Sequence, residues 1–576
     1  MKSLLSVLLL VAANCLVAQP PRKTIVIRNV NLVDVEEQKI VAGSTVQFAD
    51  GKITVIAKGK TSAKADSVID GTGKYLMPGL TDAHIHFFQS GSIYTRPDVI
   101  DLRKVVPYET EIEKGKTGMA DVMKWTMYNG ITSVIDVGAT YNLLNERTKY
   151  KDSNFAPAVF MTGPLLTTYE PAAFNGLQND RPFSLVKTPE EARKMVQEQL
   201  PFKPDFIKIW FIVPGKDKEY VARGYLPVIQ AIISEAHKHH LKVAVHATER
   251  IAAQLAVENG ADFLVHSVDD EVVSNDFVQL LRQKKTVLCP TLVVSHNYNK
   301  VLGQDYHFHT TEFEKADPFV LGSLFDLKHI TDSKIKRYRD GTRNNAAINQ
   351  TYDSVCIVNL KKLSDAGVRI AAGTDAGNIG TLHGGSYLPE LLAMQAAGMS
   401  NWQVLQSATI NPAYILTKEK EMGSVAKGKI ADMLLLRANP VEDLNHLAKI
   451  DLIVNKGNII LPGSLVEETA LKLVQRQLNA YNARDLQAFL EPYADDVEIY
   501  DYNSGKLLGR GKEQMQKDYA FFKNVPELHC KITARIVQGN IVIDKEHVTG
   551  FGERAVEATA IYHIANNKIQ KVYFIE

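Results

Sequence analysis

Short apolar runs alternate with helix-like stretches through the middle of this chain. Four such runs carry a polar residue at or near their end, and they span residues 206–211, 243–246, 263–266 and 368–375. Apolar runs of this length between helical segments are typical of buried parallel strands in βα units. Chemistry in such folds collects at the carboxyl ends of the strands. The pattern therefore predicts a parallel α/β core with its reactive groups at one end.

The segments on both sides of this core read as short β-strands. Strand patterns cover residues 24–33, 44–48 and 53–56 before the core, and 433–437 and 452–457 after it. Asp50-Gly51 is a turn signal between two of the early strands. We therefore expect one composite β-sandwich built from residues 24–79 and 420–463, with a structural role.

The candidate chemistry begins with His84 and His86, which are two residues apart in a strand-like segment. Side chains two apart on a strand share a face, so both imidazoles point to the same place. The apolar runs add Lys208, His246, His266 and Asp375. Imidazole and carboxylate groups are ligands for Zn²⁺, Mn²⁺ or Fe²⁺. This inventory predicts a hydrolytic metal site.

Lys208 is the unusual member of this set, because an ammonium group has no lone pair to offer a cation. Two interpretations are open from the residues alone. The lysine can pair with a nearby carboxylate such as Asp205. Alternatively, CO₂ adds to the neutral amine, and the resulting carbamate bridges two cations.

The ordered motifs around these residues resemble the amidohydrolase superfamily, and most closely the branch with imidazolonepropionase and the metal-dependent Xaa-Pro dipeptidases. They are Pro-Gly-Leu-Thr-Asp-Ala-His84-Ile-His86, Asp-Phe-Ile-Lys208-Ile, Val-His246-Ala, Val-His266-Ser and Ala-Gly-Thr-Asp375-Ala-Gly. Residues 407–413 and 423–432 are similar to the end of that family's domain. The resemblance covers residues 24–463 and implies a TIM-type (β/α)8 barrel over residues 80–419, flanked by the β-sandwich.

The resemblance also implies roles for the site residues. His84, His86 and Asp375 would bind one metal, His246 and His266 the other, and carboxylated Lys208 would bridge the two. Relatives with one metal use the paired histidines, one later histidine and the aspartate, so one or two ions remain open. We expect two Zn²⁺, with Mn²⁺ or Fe²⁺ as alternatives.

The expected reaction follows from these ligands. A metal-bound water with its pKa lowered toward about 7 gives hydroxide at neutral pH. The hydroxide attacks a carbonyl, and Asp375 acts as general base and then general acid. The predicted function is hydrolysis of a C–N bond in an amide, a cyclic amide or an Xaa-Pro-type dipeptide. The alternatives are an esterase or lactonase on the same metals, and a noncatalytic protein that binds a small ligand through its C-terminal domain.

Four further residues are candidates for substrate contact. His296 follows the candidate seventh strand, and Tyr225 precedes a predicted helix over residues 226–238. His383 and Glu390 follow the eighth strand. Of these, His296 and Tyr225 are the expected substrate contacts.

The C-terminal residues 464–576 form a separate unit by pattern. Leu465, Leu471, Val474 and Leu478 recur at helical spacing within a predicted helix over 465–480, and the rest is rich in strands. Residues 478–497 look like a SnoaL-like or nuclear transport factor 2-like domain, a cone-shaped α+β fold. We expect this domain to bind a ligand or to form a homo-oligomer, and we expect Asp495, Asp496 and Asp501 to be surface or turn residues.

Composition narrows the partners. A chain of 576 residues corresponds to about three domains. Lys+Arg number 66 and Asp+Glu 65, so no charge excess favours nucleic acid or an anionic membrane, and a small-molecule substrate is expected.

The first residues read as an export signal. One positive charge, an apolar stretch over residues 4–13 and small residues before Gln19 predict a signal peptide over residues 1–18. The stretch is shorter than the ~20 residues of a membrane span. Cys15 offers a second interpretation, a lipoprotein attachment site. After cleavage Cys289, Cys356 and Cys530 remain, so we expect no disulfide framework.

Overall fold

The computed structural model of the chain describes residues 23–59 and 65–575. The predicted signal peptide and Cys15 lie outside these residues. Within the two ranges no helix is both long enough and apolar enough to cross a membrane. Cys289, Cys356 and Cys530 are free thiols.

The strands of the described chain share the extended backbone and are numbered in chain order. They are β1 (Ile25–Asp34), β2 (Lys39–Ala49), β3 (Lys52–Lys58), β4 (Ser67–Asp70), β5 (Tyr75–Pro78), β6 (Leu80–Ile85), β7 (Ile131–Asp136), β8 (Ala158–Met161), β9 (Leu165–Thr167), β10 (Phe183–Leu185), β11 (Phe206–Trp210), β12 (Lys242–His246), β13 (Phe263–Val265), β14 (Val287–Cys289), β15 (Met433–Leu436), β16 (Ile450–Asn455), β17 (Asn458–Ile460), β18 (Tyr493–Asp501), β19 (Leu507–Arg510), β20 (His529–Gln538), β21 (Ile541–Thr549), β22 (Val556–Ala565) and β23 (Lys568–Ile575).

The α-helices lie mainly between the strands of the central region. They are α1 (Tyr108–Thr117), α2 (Met119–Tyr128), α3 (Tyr141–Glu146), α4 (Pro189–Gln199), α5 (Lys218–Lys238), α6 (Arg250–Glu258), α7 (Asn275–Lys284), α8 (Leu292–Leu302), α9 (Thr310–Lys315), α10 (Pro318–Ser323), α11 (Ser333–Asn344), α12 (Ala346–Asp365), α13 (Tyr387–Ala396), α14 (Asn401–Ser407), α15 (Ile410–Ile415), α16 (Ala470–Ala483), α17 (Leu486–Leu490) and α18 (Lys512–Asp518).

Strands from both flanks of the central region form one eight-stranded sheet. Its order is β17-β16-β15-β5-β1-β2-β3, with β4 paired to β1. The turn between β2 and β3 is the predicted Asp50-Gly51, and both residues have positive φ, 51° and 75°. Positive φ at both central residues is typical of the tight hairpin turn that matches strand twist. The predicted strands are therefore present, and they join in a single hydrogen-bonded sheet.

The central region holds two parallel sheets, β6-β7-β8 and β10-β9-β11-β12-β13-β14. The predicted eighth strand, residues 368–375, is not a continuous strand. Ile370 makes a single bridge to Leu288, and Ala376, directly after the predicted strand, makes a single bridge to Ile85. Backbone amides also join it to β6, because Ala83 donates to Ala372 and Asp375 donates to His84. The parallel α/β prediction is confirmed, and its closure into one barrel stays a prediction.

The C-terminal region is mostly sheet. Six strands run in the order β19-β18-β23-β22-β21-β20, and α16 packs across β20, β21 and β23. The helix starts at Ala470, five residues later than predicted, because the Thr469 side chain accepts a hydrogen bond from the Lys472 amide and caps it there. Asp495 and Asp496 are exposed, as predicted.

The core of the molecule is divided among several apolar clusters. The largest lies between the central strands and their helices and includes Ile207, Val245 and Leu264. A second cluster contains residues from both the C-terminal region and the segment from Ile93 to Ile335, among them Leu321, Phe325 and Val474. The C-terminal region therefore packs directly against the central one.

Candidate metal centre

The six predicted ligands come from five segments of the fold and meet at one cavity. His84 lies in β6 and His86 follows it, Lys208 lies in β11, His246 ends β12, and His266 follows β13. Asp375 lies in the segment that bridges β14 and β6, between Ile370 and Ala376. All six line one cavity of about 440 Å³. The strand ends thus bring together residues that are far apart in sequence.

Three of the six converge closely. Oδ1 of Asp375 lies 3.2 Å from Nε2 of His84 and 3.2 Å from Nε2 of His86, and the two Nε2 atoms are 3.4 Å apart. Ligands about 2.0–2.1 Å from a tetrahedral Zn²⁺ are separated by roughly 3.3–3.4 Å. The observed spacing therefore fits a cation held by these three side chains, which also form the group of candidate ligands lying within 4.8 Å of one another.

His246 and His266 form the other side of the cavity. Their ring centroids are 4.3 Å apart, and the His266 ring lies 4.8 Å from that of His84. Nε2 of His266 is 4.0 Å from Oδ2 of Asp375. Asp375 is thus placed between the two histidine pairs.

Neighbouring groups fix the orientation of two rings. Nδ1 of His86 lies 3.0 Å from the carbonyl oxygen of Gly138, so it carries the proton and donates. Nδ1 of His266 lies 2.7 Å from the Thr291 hydroxyl. Where Nδ1 donates to such a partner, the ring is oriented and the lone pair of Nε2 is left for a metal, which is the arrangement found around metal-bound histidines. The residues present therefore fit a divalent cation.

Two of the predicted ligands hold an uncommon backbone conformation. His266 has φ 76° and Asp375 has φ 61°, both in the left-handed region. Non-glycine residues in this region cost about 1 kcal/mol or more and concentrate at functional sites. The conformation turns both side chains toward the cavity at the point where each strand ends.

Lys208 is buried among these groups and does not pair with Asp205. The Asp205 carboxylate instead contacts Arg147 and accepts a hydrogen bond of 2.8 Å from the Met161 amide. The interpretation of Lys208 as the partner of Asp205 is therefore wrong, because side chains three positions apart along an extended chain point to opposite sides. Burial lowers the pKa of Lys208 to about 7, although Asp375 opposes the shift.

The histidines and the aspartate have strongly shifted pKa values. Burial lowers the pKa of His84 to about 4 and those of His246 and His266 well below the usual range. Burial also lowers the pKa of His86, but Asp136 and Asp375 outweigh it and raise the value to about 9. For Asp375 burial opposes ionisation, yet His84 and His86 hold its pKa well below the usual range. His84, His246 and His266 are therefore neutral imidazoles beside the Asp375 anion, and a cation bound at Nε2 of His86 would take the place of the proton that this raised pKa keeps there.

Several residues of the cavity were missed from the sequence. Arg96, Tyr298 and Asn378 line it on one side, and Phe183 and Trp210 line it on the other. Nδ2 of Asn378 donates a hydrogen bond of 2.7 Å to Oδ1 of Asp375. Asn378 lies three residues after Asp375, so its proximity in sequence was the one available signal.

The four residues proposed as substrate contacts have other places. His296 and Tyr225 do not line the cavity. His296 is exposed on α8, and Tyr225 lies inside α5, which begins at Lys218, and packs against the main core. These two predictions are wrong in position. Tyr225 lies within α5 because that helix begins before the predicted residue 226, and His296 lies within α8 because a helix begins at Leu292, soon after β14.

His383 and Glu390 are buried next to the site. Nε2 of His383 lies 3.1 Å from the carbonyl oxygen of Gln89. The Glu390 carboxylate accepts hydrogen bonds of 3.0 and 2.9 Å from the amides of Leu292 and Val293, at the start of α8. Both side chains support elements of the site, and neither lines the main cavity.

Comparison with known proteins identifies the family of this chain. The model of the amidohydrolase family matches residues 75–462. The chain belongs to the amidohydrolase family. The SnoaL-like domain model matches residues 474–572. Both predicted resemblances are confirmed, and membership makes the chain a hydrolase that acts on carbon–nitrogen bonds.

Individual relatives agree with the family assignment. An imidazolonepropionase from Shouchella clausii is 25% identical over 439 residues, which cover 71% of this chain and 81% of the relative. The structure of a Xaa-Pro dipeptidase with bound methionine has a TM-score of 0.58 and 22% identity, covering 76% of this chain and 100% of that one. A molinate hydrolase structure has a TM-score of 0.58 and 19% identity, covering 76% and 95%. The structural likeness shows a shared fold for the amidohydrolase part.

Proposed function

We propose that this amidohydrolase uses divalent cations to hydrolyse the C–N bond of an amide, a cyclic amide or an Xaa-Pro-type dipeptide. The observation that carries the proposal is the convergence of His84, His86 and Asp375 at 3.2–3.4 Å. Buried imidazoles and a carboxylate at this spacing serve no evident purpose in packing, and they match the needs of a cation.

Two cations are proposed, with His84, His86 and Asp375 at one and His246 and His266 at the other. Lys208, carrying CO₂ as a carbamate, would contribute to both. The lowered pKa of about 7 supports this role, because a sizeable neutral fraction of the amine is available to react with CO₂ at neutral pH. Zn²⁺ is the proposed metal, with Mn²⁺ and Fe²⁺ as alternatives.

The residues around the cations divide the chemical work. Cations held by these residues would supply Lewis acidity for the attack of water on the substrate carbonyl. The ionised Asp375 accepts the proton of that water and passes it to the leaving amine. Asn378 holds Oδ1 of Asp375 at 2.7 Å, which leaves Oδ2 free to exchange the proton.

The cavity walls indicate the shape of the substrate. Phe183 and Trp210 lie 4.8 Å apart between ring centroids and form an aromatic side, continued by Phe88. Asn299, Asn349 and Tyr298 form a polar side. A cavity of about 440 Å³ accommodates a small molecule. We propose an amide with an apolar group on one side of the scissile bond and a polar group on the other.

The nature of the bond is tested by a substrate panel. Xaa-Pro dipeptides, N-acyl amino acids with aromatic acyl groups, cyclic amides and lactones present the same carbonyl to the same cations. Faster turnover of an amide class than of lactones supports the proposal. Preference for lactones or esters at matched size assigns the alternative function, an esterase or lactonase.

The metal content is the first measurement. Protein purified without chelator and supplied with bicarbonate is analysed by elemental mass spectrometry. About two equivalents per chain support the bridged pair, and one equivalent supports a single-metal site without the carbamate. A purified protein that contains no metal would overturn the proposal.

Export is also proposed, on the strength of the N-terminal segment. Cleavage after Ala18 would release the protein into the periplasm or the medium, and attachment at Cys15 would make it a lipoprotein. The mass of the mature N-terminal peptide distinguishes the two, and an uncleaved Met1 would contradict both.

A second candidate function belongs to the C-terminal domain. It contains a cavity of about 330 Å³ lined by aromatic rings and by the buried Glu546. Inside it, the Tyr562 hydroxyl donates a hydrogen bond of 2.9 Å to Glu546, and Gln477 donates to Tyr562. This cavity favours binding of a small apolar ligand. Calorimetric titration of the protein with 2-naphthol, with and without Glu546→Gln, tests it, and no heat of binding in either protein contradicts it.

A further inference from the structure

Asn378 is held in one orientation beside Asp375. Its Oδ1 accepts hydrogen bonds from the Tyr298 hydroxyl at 2.6 Å and from Nη1 of Arg96 at 2.5 Å. Arginine is a donor only, so the amide cannot flip without facing N–H groups with N–H groups. Nδ2 must therefore point at Oδ1 of Asp375, where it donates at 2.7 Å.

Arg96 is itself fixed by a second pair of hydrogen bonds. Its Nε and Nη2 donate to the two oxygens of Asp98 at 2.8 and 2.6 Å, a fork geometry that holds the guanidinium in a plane. Asp98 neutralises the positive charge, so Arg96 offers little attraction to an anionic substrate. Its place at the cavity is better explained by the group it holds, Asn378.

The loop that carries Arg96 has no regular secondary structure of its own. It connects β6 to α1, and the neighbouring residues anchor it to the segment around α10. The Tyr94 hydroxyl donates a hydrogen bond of 2.7 Å to Asp326, and the Ile93 amide donates at 3.4 Å to the Ser323 hydroxyl. The position of Arg96 therefore depends on the segment from Pro318 to Lys328.

That segment is bound to the C-terminal domain. The buried Asn479 of α16 donates a hydrogen bond of 2.6 Å to the carbonyl of Pro318, and Lys328 contacts Glu527 at 2.7 Å. The approach is close, since a Cβ added to Gly322 would lie 2.7 Å from Nε2 of Gln475. The C-terminal domain thus holds the segment that holds the loop of Arg96.

We propose that Arg96 and Asn378 are positioning residues for Asp375, and that the C-terminal domain keeps them in place through Asp326 and Tyr94. The inference rests on the proposed metal site, because its effect is on the orientation of one proposed ligand. It gives the C-terminal domain a part in the reaction that does not depend on any ligand of its own.

The test uses the full-length protein loaded with Co²⁺, whose visible spectrum reports the ligands around the ion. The variants are Arg96→Lys and Asn378→Ala at the site, Tyr94→Phe in the loop and Asn479→Ser in the C-terminal domain. Asn482→Ser is the matched control, because Asn482 lies on the same helix and its side chain bonds to the backbone of Cys530 within its own domain.

Expected results follow the order of the contacts. Arg96→Lys and Asn378→Ala weaken Co²⁺ binding by roughly 10- to 100-fold. Tyr94→Phe and Asn479→Ser weaken it by roughly 2- to 30-fold and shift the spectrum in the same direction. The control keeps the wild-type spectrum. Tyr94→Phe adds nothing in an Arg96→Lys background, since both act through the same groups.

Turnover of the best panel substrate gives a second measurement. We expect lower kcat with little change in KM for all four variants, because Asp375 acts on the reacting atoms. Wild-type spectra and kcat in Tyr94→Phe and Asn479→Ser overturn the link to the C-terminal domain, and wild-type values in Arg96→Lys overturn the positioning role. If the wild-type protein binds no Co²⁺, the result overturns the proposed metal site itself.

Discussion

The carbonyl oxygen of Gly138 lies 3.0 Å from Nδ1 of His86. Gly138 is two residues beyond the end of β7. This contact makes Nδ1 the protonated nitrogen and turns Nε2 toward Asp375. Asp136, the last residue of β7, supports the same loop by accepting a hydrogen bond of 3.0 Å from the Gly138 amide. The end of one strand thus orients a side chain that belongs to its neighbour.

Gly138→Ala is predicted to weaken metal binding by roughly 10- to 100-fold. A Cβ at this position collides with the buried Leu165 side chain and lies 3.2 Å from Cε1 of His86, so either these side chains or the loop of Gly138 must shift, and each shift disturbs the His86 ring. Metal affinity is measured by competition with a chromophoric chelator. Gly224→Ala is the control, because a Cβ there meets nothing within 4 Å. Equal affinities in the two variants contradict the prediction.

Lys208→Ala is predicted to remove at least one metal equivalent per chain. The buried amine is the precursor of the proposed bridging carbamate, and alanine cannot carry CO₂. Elemental mass spectrometry measures the loss, and added short-chain carboxylates should restore part of it by replacing the missing anion. Lys218→Ala, which removes a lysine bonded to Glu249 instead, is the control. Unchanged metal content in Lys208→Ala refutes the bridge.

His296→Ala is predicted to leave kcat/KM within about twofold of the wild type. The side chain is exposed and does not line the cavity, whereas Tyr298 on the same helix does. Tyr298→Phe should lower kcat, because it removes the hydrogen bond to Asn378. Steady-state kinetics of the two variants on one substrate measures both effects. A larger loss of kcat/KM in His296→Ala than in Tyr298→Phe contradicts the placement of His296 outside the cavity.

Trp210→Ala is predicted to raise KM for amides with an aromatic group by about tenfold or more, with a smaller effect on amides with a methyl group. The indole forms the aromatic wall with Phe183. Tyr220→Ala serves as control, since its side chain is 78% exposed on α5. Equal changes in KM for both substrate types would place the apolar group elsewhere.

Glu546 is predicted to make the folded state less stable as pH rises. Burial raises its pKa to about 7, although the Tyr562 hydroxyl opposes the shift. The folded protein then keeps a proton that the unfolded chain loses above the ordinary glutamate pKa of 4.5. The stabilisation is complete below pH 4.5 and is lost as pH rises through 7, by an amount on the order of 3 kcal/mol.

Glu546→Gln mimics the protonated side chain and should lack this dependence. The free energy of unfolding is measured by denaturant titration at pH 5 and pH 8 for both proteins. The wild type should lose more stability than the variant between the two values. Parallel losses would show that Glu546 is ionised throughout.

The sequence was sufficient to predict the strand ends and the side chains that meet at the cavity. The two-residue spacing of His84 and His86, and the placement of His246 and His266 at the ends of apolar runs, are local signals that survive folding. Arg96 gave no such signal, because its partner Asn378 is 282 residues away and its loop has no periodic pattern. Contacts of that kind depend on tertiary packing.

The prediction for His296 was wrong because this residue lies in a helix. Residues 294, 295, 298, 299 and 302 line the cavity, and they share one face of α8 at the period of 3.6 residues. His296 falls outside that face. The sequence pattern placed the residue at a strand end, and a helix that begins at Leu292 turned it away from the cavity.

The position of β5 has a consequence for how the chain folds. This strand pairs with β1 on one side and with β15 on the other, and β15 is made some 350 residues later. During synthesis β5 therefore has an open edge until Met433–Leu436 has been made, and an open edge can pair with another chain. Contacts this distant in sequence form slowly. We expect fragments that end before β15 to aggregate. In the complete protein, the pairing of β15 with β5 joins the two ends of the amidohydrolase domain in one sheet.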